Sequence, residues 1–260
     1  MNTKIISMGA LLFLVNGSRL PAQEYHTTVQ DPKATTLILE NFGDELPIEG
    51  YAGNDILVTV VSNSLKETPE RAKGLKAVYP AGTDNTGIAI EAIKDGNTVK
   101  LVCLNAFFKH DMKYKLKVPE NIALRIHTGC EYHTMVEIED IKNEIDVEVC
   151  KSIKLKNVSG PLVLSSINGE ISVVFTELSS KPISIADING EVDVTLPSKS
   201  AINLEMENFH GGMYTDFDVV KDKKDDMKQV GGNKLMSKIN GGGTDLKITN
   251  INGNIYLRKG

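Results

Sequence analysis

"DINGEVDVTL", Asp187 to Leu196, poses the question on which the fold turns. An apolar residue precedes Asn-Gly, and apolar residues then alternate with polar ones. The phrase returns as "SINGEISVVF" at Ser166–Phe175 and as "NINGNIYLRK" at Asn250–Lys259. Asn168-Gly169 and Asn189-Gly190 stand 21 residues apart, and His210-Gly211 follows after another 21. Asn252-Gly253 comes 42 residues later, twice that period. The skipped position holds Gly231-Gly232, so the phase survives the charged stretch Lys221–Lys228. One copy, Asn240-Gly241, is out of phase and is expected to mark the opposite corner of the last unit.

A fixed period in this range is the signature of a stacked repeat fold. Between the turns the period is two. Ile183 and Ile185 alternate with small or polar residues, as do Val192, Val194 and Leu196, and Ile202, Leu204 and Met206. Such alternation, rich in β-branched residues, argues half-buried strand. A unit of two short strands cannot bury its apolar face alone, but stacked units would share a continuous apolar interior. The expectation is an all-β fold, a parallel β-helix or β-solenoid with rungs of about 21 residues. Its corner would be one column in chain order: Asn168-Gly169, Asn189-Gly190, His210-Gly211 and Asn252-Gly253. Gly and Asn suit the left-handed backbone of a tight turn, and stacked Asn side chains can bond along a column. The alternative is an antiparallel β-sandwich, because Asn-Gly between alternating apolar residues is also a strong hairpin signal.

The chain reads as one domain, residues 23–260, with regular repeats over 115–260 and an irregular β half over 23–114. There Leu37–Phe42, Leu46–Ile48, Ile56–Val61, Ile88–Ile93 and Val99–Leu104 read as strands, with a hairpin turn at Asp95-Gly96-Asn97. Residues 62–87 carry Pro69, Pro80 and three glycines, and read as a long surface loop.

Residues 1–22 have another character. Lys4 precedes an apolar run, Ile5–Val15, and a polar stretch ends near Ala22. That is the anatomy of a secretory signal peptide, too short for a stable membrane span. No later apolar run is long enough to cross a bilayer as a helix. A formal net charge of -5 gives no basic nucleic-acid footprint.

Three cysteines, Cys103, Cys130 and Cys150, leave an odd thiol in an exported chain. No Cys-x-x-Cys exists to build a zinc ribbon. Cys130 and Cys150 lie 20 residues apart, about one unit, so adjacent rungs could bring them within bridging distance. Two unpaired buried side chains are the plainer expectation.

Glu40–Val60 ("ENFGDELPIEGYAGNDILVTV"), Tyr114–Gly129 ("YKLKVPENIALRIHTG") and the serial "ING" units together resemble a bacterial family of "putative adhesins", exported domains of unknown function. The resemblance covers about residues 36–258. It implies a β-solenoid with no catalytic residues to carry over.

Parallel β-helices also include sugar-cleaving enzymes, which need two carboxylates at a set separation. Asp216 and Asp218 are the best acidic pair, and Asp193 would lie diagonal to Asp216 one rung away. The positions equivalent to Asp216 would be Thr195 and Ser237, neither a carboxylate. His127 and His133 flank a turn but form no His-x-x-x-His. "GGGTD" at Gly241–Asp245 occurs once, too little for serial calcium repeats, and no phosphate-loop or dinucleotide fingerprint is present. The expectation is therefore no enzyme, no cofactor and no metal. The chain would be an exported structural or adhesin-like interaction module in the periplasm or at the cell surface, with an unknown envelope protein or glycan as partner. A carbohydrate-active β-helix enzyme is the alternative.

Overall fold

A computed structural model describes residues 23–61, 70–75, 78–79, 81–104, 112–219 and 233–260. The leader expected at 1–22, the lysine-rich stretch, Gly231-Gly232 and parts of the 62–87 loop lie outside the described residues. The N-terminal strands are β1 (Glu24–Thr28), β2 (Thr36–Glu40), β3 (Glu45–Tyr51), β4 (Asp55–Val60), β5 (Val78–Tyr79), β6 (Gly82–Thr83), β7 (Ile90–Asp95), β8 (Thr98–Cys103) and β9 (Tyr114–Pro119). Then come β10 (Ala123–His127), β11 (Met135–Glu139), β12 (Ile145–Val149), β13 (Ile153–Val158), β14 (Leu162–Ser166), β15 (Ile171–Phe175) and β16 (Ile183–Asn189). The last six are β17 (Val192–Leu196), β18 (Ile202–His210), β19 (Met213–Thr215), β20 (Asn233–Ile239), β21 (Thr244–Asn252) and β22 (Ile255–Lys259).

These strands build two large, mixed, mostly parallel sheets. One has the order β1-β4-β9-β3-β11-β13-β15-β17-β22-β19, the other β20-β18-β21-β16-β14-β12-β10-β2-β8-β7. From β10 to β19 the chain changes sheet at every strand. Each strand from β10 to β17 pairs parallel to the next one in its own sheet when that one is close in sequence, as β12 does with β14 and β15 with β17. The strands before and after Asn168-Gly169 or Asn189-Gly190 thus belong to different sheets. These steps are not the hairpin tips that the sandwich alternative requires. A true hairpin occurs at Asp95–Asn97, where β7 and β8 pair antiparallel and Gly96 has φ 53°.

The two-residue alternation explains the burial. Ile183, Ile185, Val192, Val194, Leu196, Ile202 and Met206 are all buried, and they join one hydrophobic cluster running from Val29 to Leu257. Fully burying one such side chain is worth about 1.5–3 kcal/mol, and only a neighbouring rung can cover it on both flanks. On the outer faces, cross-strand ion pairs such as Lys154–Glu137 and Lys156–Glu139, both 3.5 Å, tie neighbouring rungs together. Each is exposed and worth at most ~1 kcal/mol.

The order of rungs departs from chain order at both ends. The last unit, β21 with β22, lies between β16/β17 and β18/β19. The first, β2 with β3, lies between β8/β9 and β10/β11. The column expected as Asn168, Asn189, His210, Asn252 therefore runs Asn168, Asn189, Asn252, His210: Asn252 registers against both Asn189 and His210. A period fixes the length of a rung and is silent on which rung takes which edge. Here the insertion sets Arg258 against Asp193, with Nε 2.9 Å from Oδ1. At the other end of β21, Thr244 registers with Ile202, so Asn240-Gly241 turns at the corner opposite Asn252. Its amide Nδ2 donates to Ser200 O at 2.9 Å.

Candidate functional site: the Asn-Gly corner

The corner is built in three lines. The outermost is an amide ladder: Asn189 Nδ2 donates to Asn168 Oδ1 at 3.0 Å, and Asn252 Nδ2 to Asn189 Oδ1 at 2.8 Å. His210 ends the column beside Asn252. The second line is apolar and exposed. Ile167, Ile188, Ile251 and Phe209 each precede a ladder residue, and each is close to two-fifths exposed, 37–42%. Alternation puts them on the outer face. Together they make a ridge one residue wide and four rungs long.

The third line is internal. Ser166, Asp187, Asn250 and Asn208 continue the buried phase of Leu164, Ile185, Ile248 and Met206, and all are at most 2% exposed. They neighbour one another in that order across the sheet. Each neutral member donates to a carbonyl at the turn of an adjacent rung. Ser166 Oγ donates to Lys151 O at 2.9 Å, Asn250 Nδ2 to Gly190 O at 2.9 Å, and Asn208 Nδ2 to Gly253 O at 2.9 Å. Both carboxylate oxygens of Asp187 are buried without a hydrogen-bond partner. Burial pushes its carboxyl up to about 6, and the nearby Ile188 amide and Ser166 hydroxyl oppose the rise only in part.

This inner line was legible, though the turn signal drew attention two residues further on. The signal is a polar residue at the buried phase of the alternation in four units. The turn glycines also have a different reason from the one expected. Of Gly169, Gly190, Gly211 and Gly253, only Gly253 has a positive φ, 134°, and the ladder asparagines have none. A Cβ on Gly190 would strike the carbonyl of Gly169, one on Gly253 that of Gly190, and one on Gly211 that of Gly253. Glycine is there because backbones of successive rungs touch.

Cys130 and Cys150 extend the corner. They are joined as a disulfide, with Cα atoms 5.0 Å apart, between the turns after β10 and β12. Cys103 is buried elsewhere in the core and is not part of the bridge.

Two of the acidic residues weighed for catalysis, Asp193 and Asp216, have partners on β22. Arg258 binds Asp193 through both carboxylate oxygens, at 2.9 and 3.0 Å, and this pairing holds the guanidinium still further toward its charged form. Asp216 instead accepts the backbone N–H of Lys259 at 2.9 Å. Of the two positions expected to match Asp216, Thr195 keeps the same place on its rung with β22 inserted between them, and Ser237 does not. Ser237 sits in the other sheet, opposite Leu204, and Thr195 registers against Arg258. His127 Nε2 lies 3.0 Å from Asp146 Oδ1, a hydrogen-bonded contact and not a ligand set. Asp245 of "GGGTD" accepts from Asn203 Nδ2 at 2.8 Å. Among the described residues no group of three or more His, Cys, Asp or Glu side chains is placed to hold a metal ion, and no helix is long and apolar enough to cross a membrane.

No protein-family model matches the sequence, and no curated protein does. Solved bacterial structures show a faint likeness. A "putative cell adhesion protein" from Clostridium sporogenes gives a TM-score of 0.35 at 12% identity, over 92% of this chain and 100% of that one. A "putative adhesin" from Bacteroides fragilis gives 0.32 at 11% identity, over 92% and 96%. Another from Parabacteroides merdae gives 0.24 at 9% identity, over 91% and 95%. Likeness at that level does not transfer a function.

Proposed function

We propose that the chain is a β-solenoid display module, exported by a leader at residues 1–22 and folded as one domain over 23–260. It acts without catalysis in the periplasm or at the cell surface of a bacterium, on an envelope protein or glycan. The observation that carries this reading is the corner. Four rungs set three asparagines and a histidine beside three isoleucines and a phenylalanine at one strand spacing, and internal hydrogen bonds and packed glycine backbones fix them there. A ridge of exposed isoleucines and a phenylalanine beside a line of amides offers contact area with polar direction, which is what an adhesive surface needs. The acids that a sugar-cleaving site would use are already engaged, Asp193 by Arg258 and Asp216 by the Lys259 amide.

The test is a pair of assays on the exported form. Ile188→Glu and Ile251→Glu place charge on the ridge without touching the core. They should weaken binding to isolated envelope protein or polysaccharide fractions at least tenfold while leaving the melting curve unchanged. Release of soluble sugar products from those fractions, abolished by Asp193→Asn or Asp216→Asn, would overturn the reading in favour of an enzyme.

A further inference from the structure

Asp187 breaks the chemistry of its column. At Gly253, the space a Cβ would fill is bordered by Gly190 O and by Asn250 Nδ2, which donates to that carbonyl. At Gly211 it is bordered by Gly253 O and Asn208 Nδ2, again donor and acceptor. At Gly190 the same space is bordered by Gly169 O and Asp187 Oδ2. An oxygen therefore stands where the rungs of Asn250 and Asn208 have an amide NH2. Two acceptor oxygens facing each other in a buried site repel unless one carries a proton.

We propose that Asp187 is a proton-holding site: its neutral carboxyl donates Oδ2–H to the Gly169 carbonyl, and loss of that proton loosens the corner between the β14/β15 and β16/β17 rungs. Among the described residues no cationic side chain acts on its carboxyl to favour an ionised form. Ser166 registers on one side and Asn250 on the other. The strands leaving the corner begin with the buried apolar Ile171, Val192 and Ile255. Glu170 and Glu191, beyond the turn glycines, are exposed and of the same sign. The upward displacement of the Asp187 carboxyl to about 6 agrees with this arrangement.

The sign of the pH effect follows. The folded state holds the proton more tightly than the unfolded chain, so its stabilisation is complete below the ordinary aspartate range. It is lost as pH rises toward and through about 6. Thermal melts of the exported form from pH 4 to pH 8 should therefore show wild type falling relative to Asp187→Asn. The variant keeps the donor at every pH, and at pH 7.5 it should melt higher by roughly 5 °C or more. Difference infrared spectra, wild type minus Asp187→Asn, should show a protonated-carboxyl band at pH 5 that fades by pH 8. Parallel melting profiles for the two proteins, or no such band at pH 5, would overturn the proposal. Asp187→Ser, which copies Ser166, serves if the asparagine variant folds poorly, with the same expected loss of pH dependence.

Discussion

Asn189 and Asn250 are the same residue type at the same corner, yet they do unlike work. Asn189 is exposed and makes two ladder bonds, to Asn168 and from Asn252. Asn250 has no exposure and supplies a buried turn carbonyl with its donor. Water can replace the first and cannot reach the second. Asn189→Ala should cost roughly 0.5–1.5 kcal/mol in urea unfolding, and Asn250→Ala more, about 1–3 kcal/mol, since a buried acceptor is then left bare. Equal losses would mean that the inner line is wetted. At this scale the sequence was legible where type and turn coincide. Asn168, Asn189 and Asn252 announce themselves by the glycine that follows. Asp187, Asn250 and Asn208 do not, because Asp or Asn before an Asn-Gly step also reads as ordinary turn composition. Only the buried phase carried through from Ile185, Ile248 and Met206 separates the two readings.

Among the elements, strands were easy to place and their partners hard. Alternation located β2, β3, β4, β8 and the strands from β15 to β18 to within a few residues, since period two survives any pairing. The β7–β8 hairpin was equally plain, because Asp95-Gly96-Asn97 suits only a tight turn. The bridge between Cys130 and Cys150 depends on rungs β10/β11 and β12/β13 being neighbours, as their register makes them. A cross-link over 20 residues stabilises by roughly 3 kcal/mol through the unfolded chain. Denatured but unreduced protein should therefore take up one thiol label, on Cys103, and three after reduction. Three labels without reduction would remove the bridge and that contribution with it.

For the whole molecule, the period of 21 reported the length of a rung but not the order of rungs. Units with matching corner residues carry the same period whatever their order in the sheets. What distinguishes them is specific: Arg258 reaches Asp193 only because β22 lies beside β17, and Asn252 completes the ladder only because β21 lies beside β16. The same insertion at the other end, β2/β3 inside β8/β9, places sequence-distant strands at both ends of the stack. Cross-linking tests this arrangement most directly. Parallel neighbours stand ~4.8 Å apart, inside the roughly 4.4–6.8 Å disulfide window, whereas next-nearest rungs at about 9.6 Å lie outside it. In a Cys103→Ala background, Asn189→Cys with Asn252→Cys should bridge under mild oxidation, read by mass mapping of unreduced peptides, and Asn189→Cys with His210→Cys should not. Bridging by the second pair and not the first would contradict the stack described.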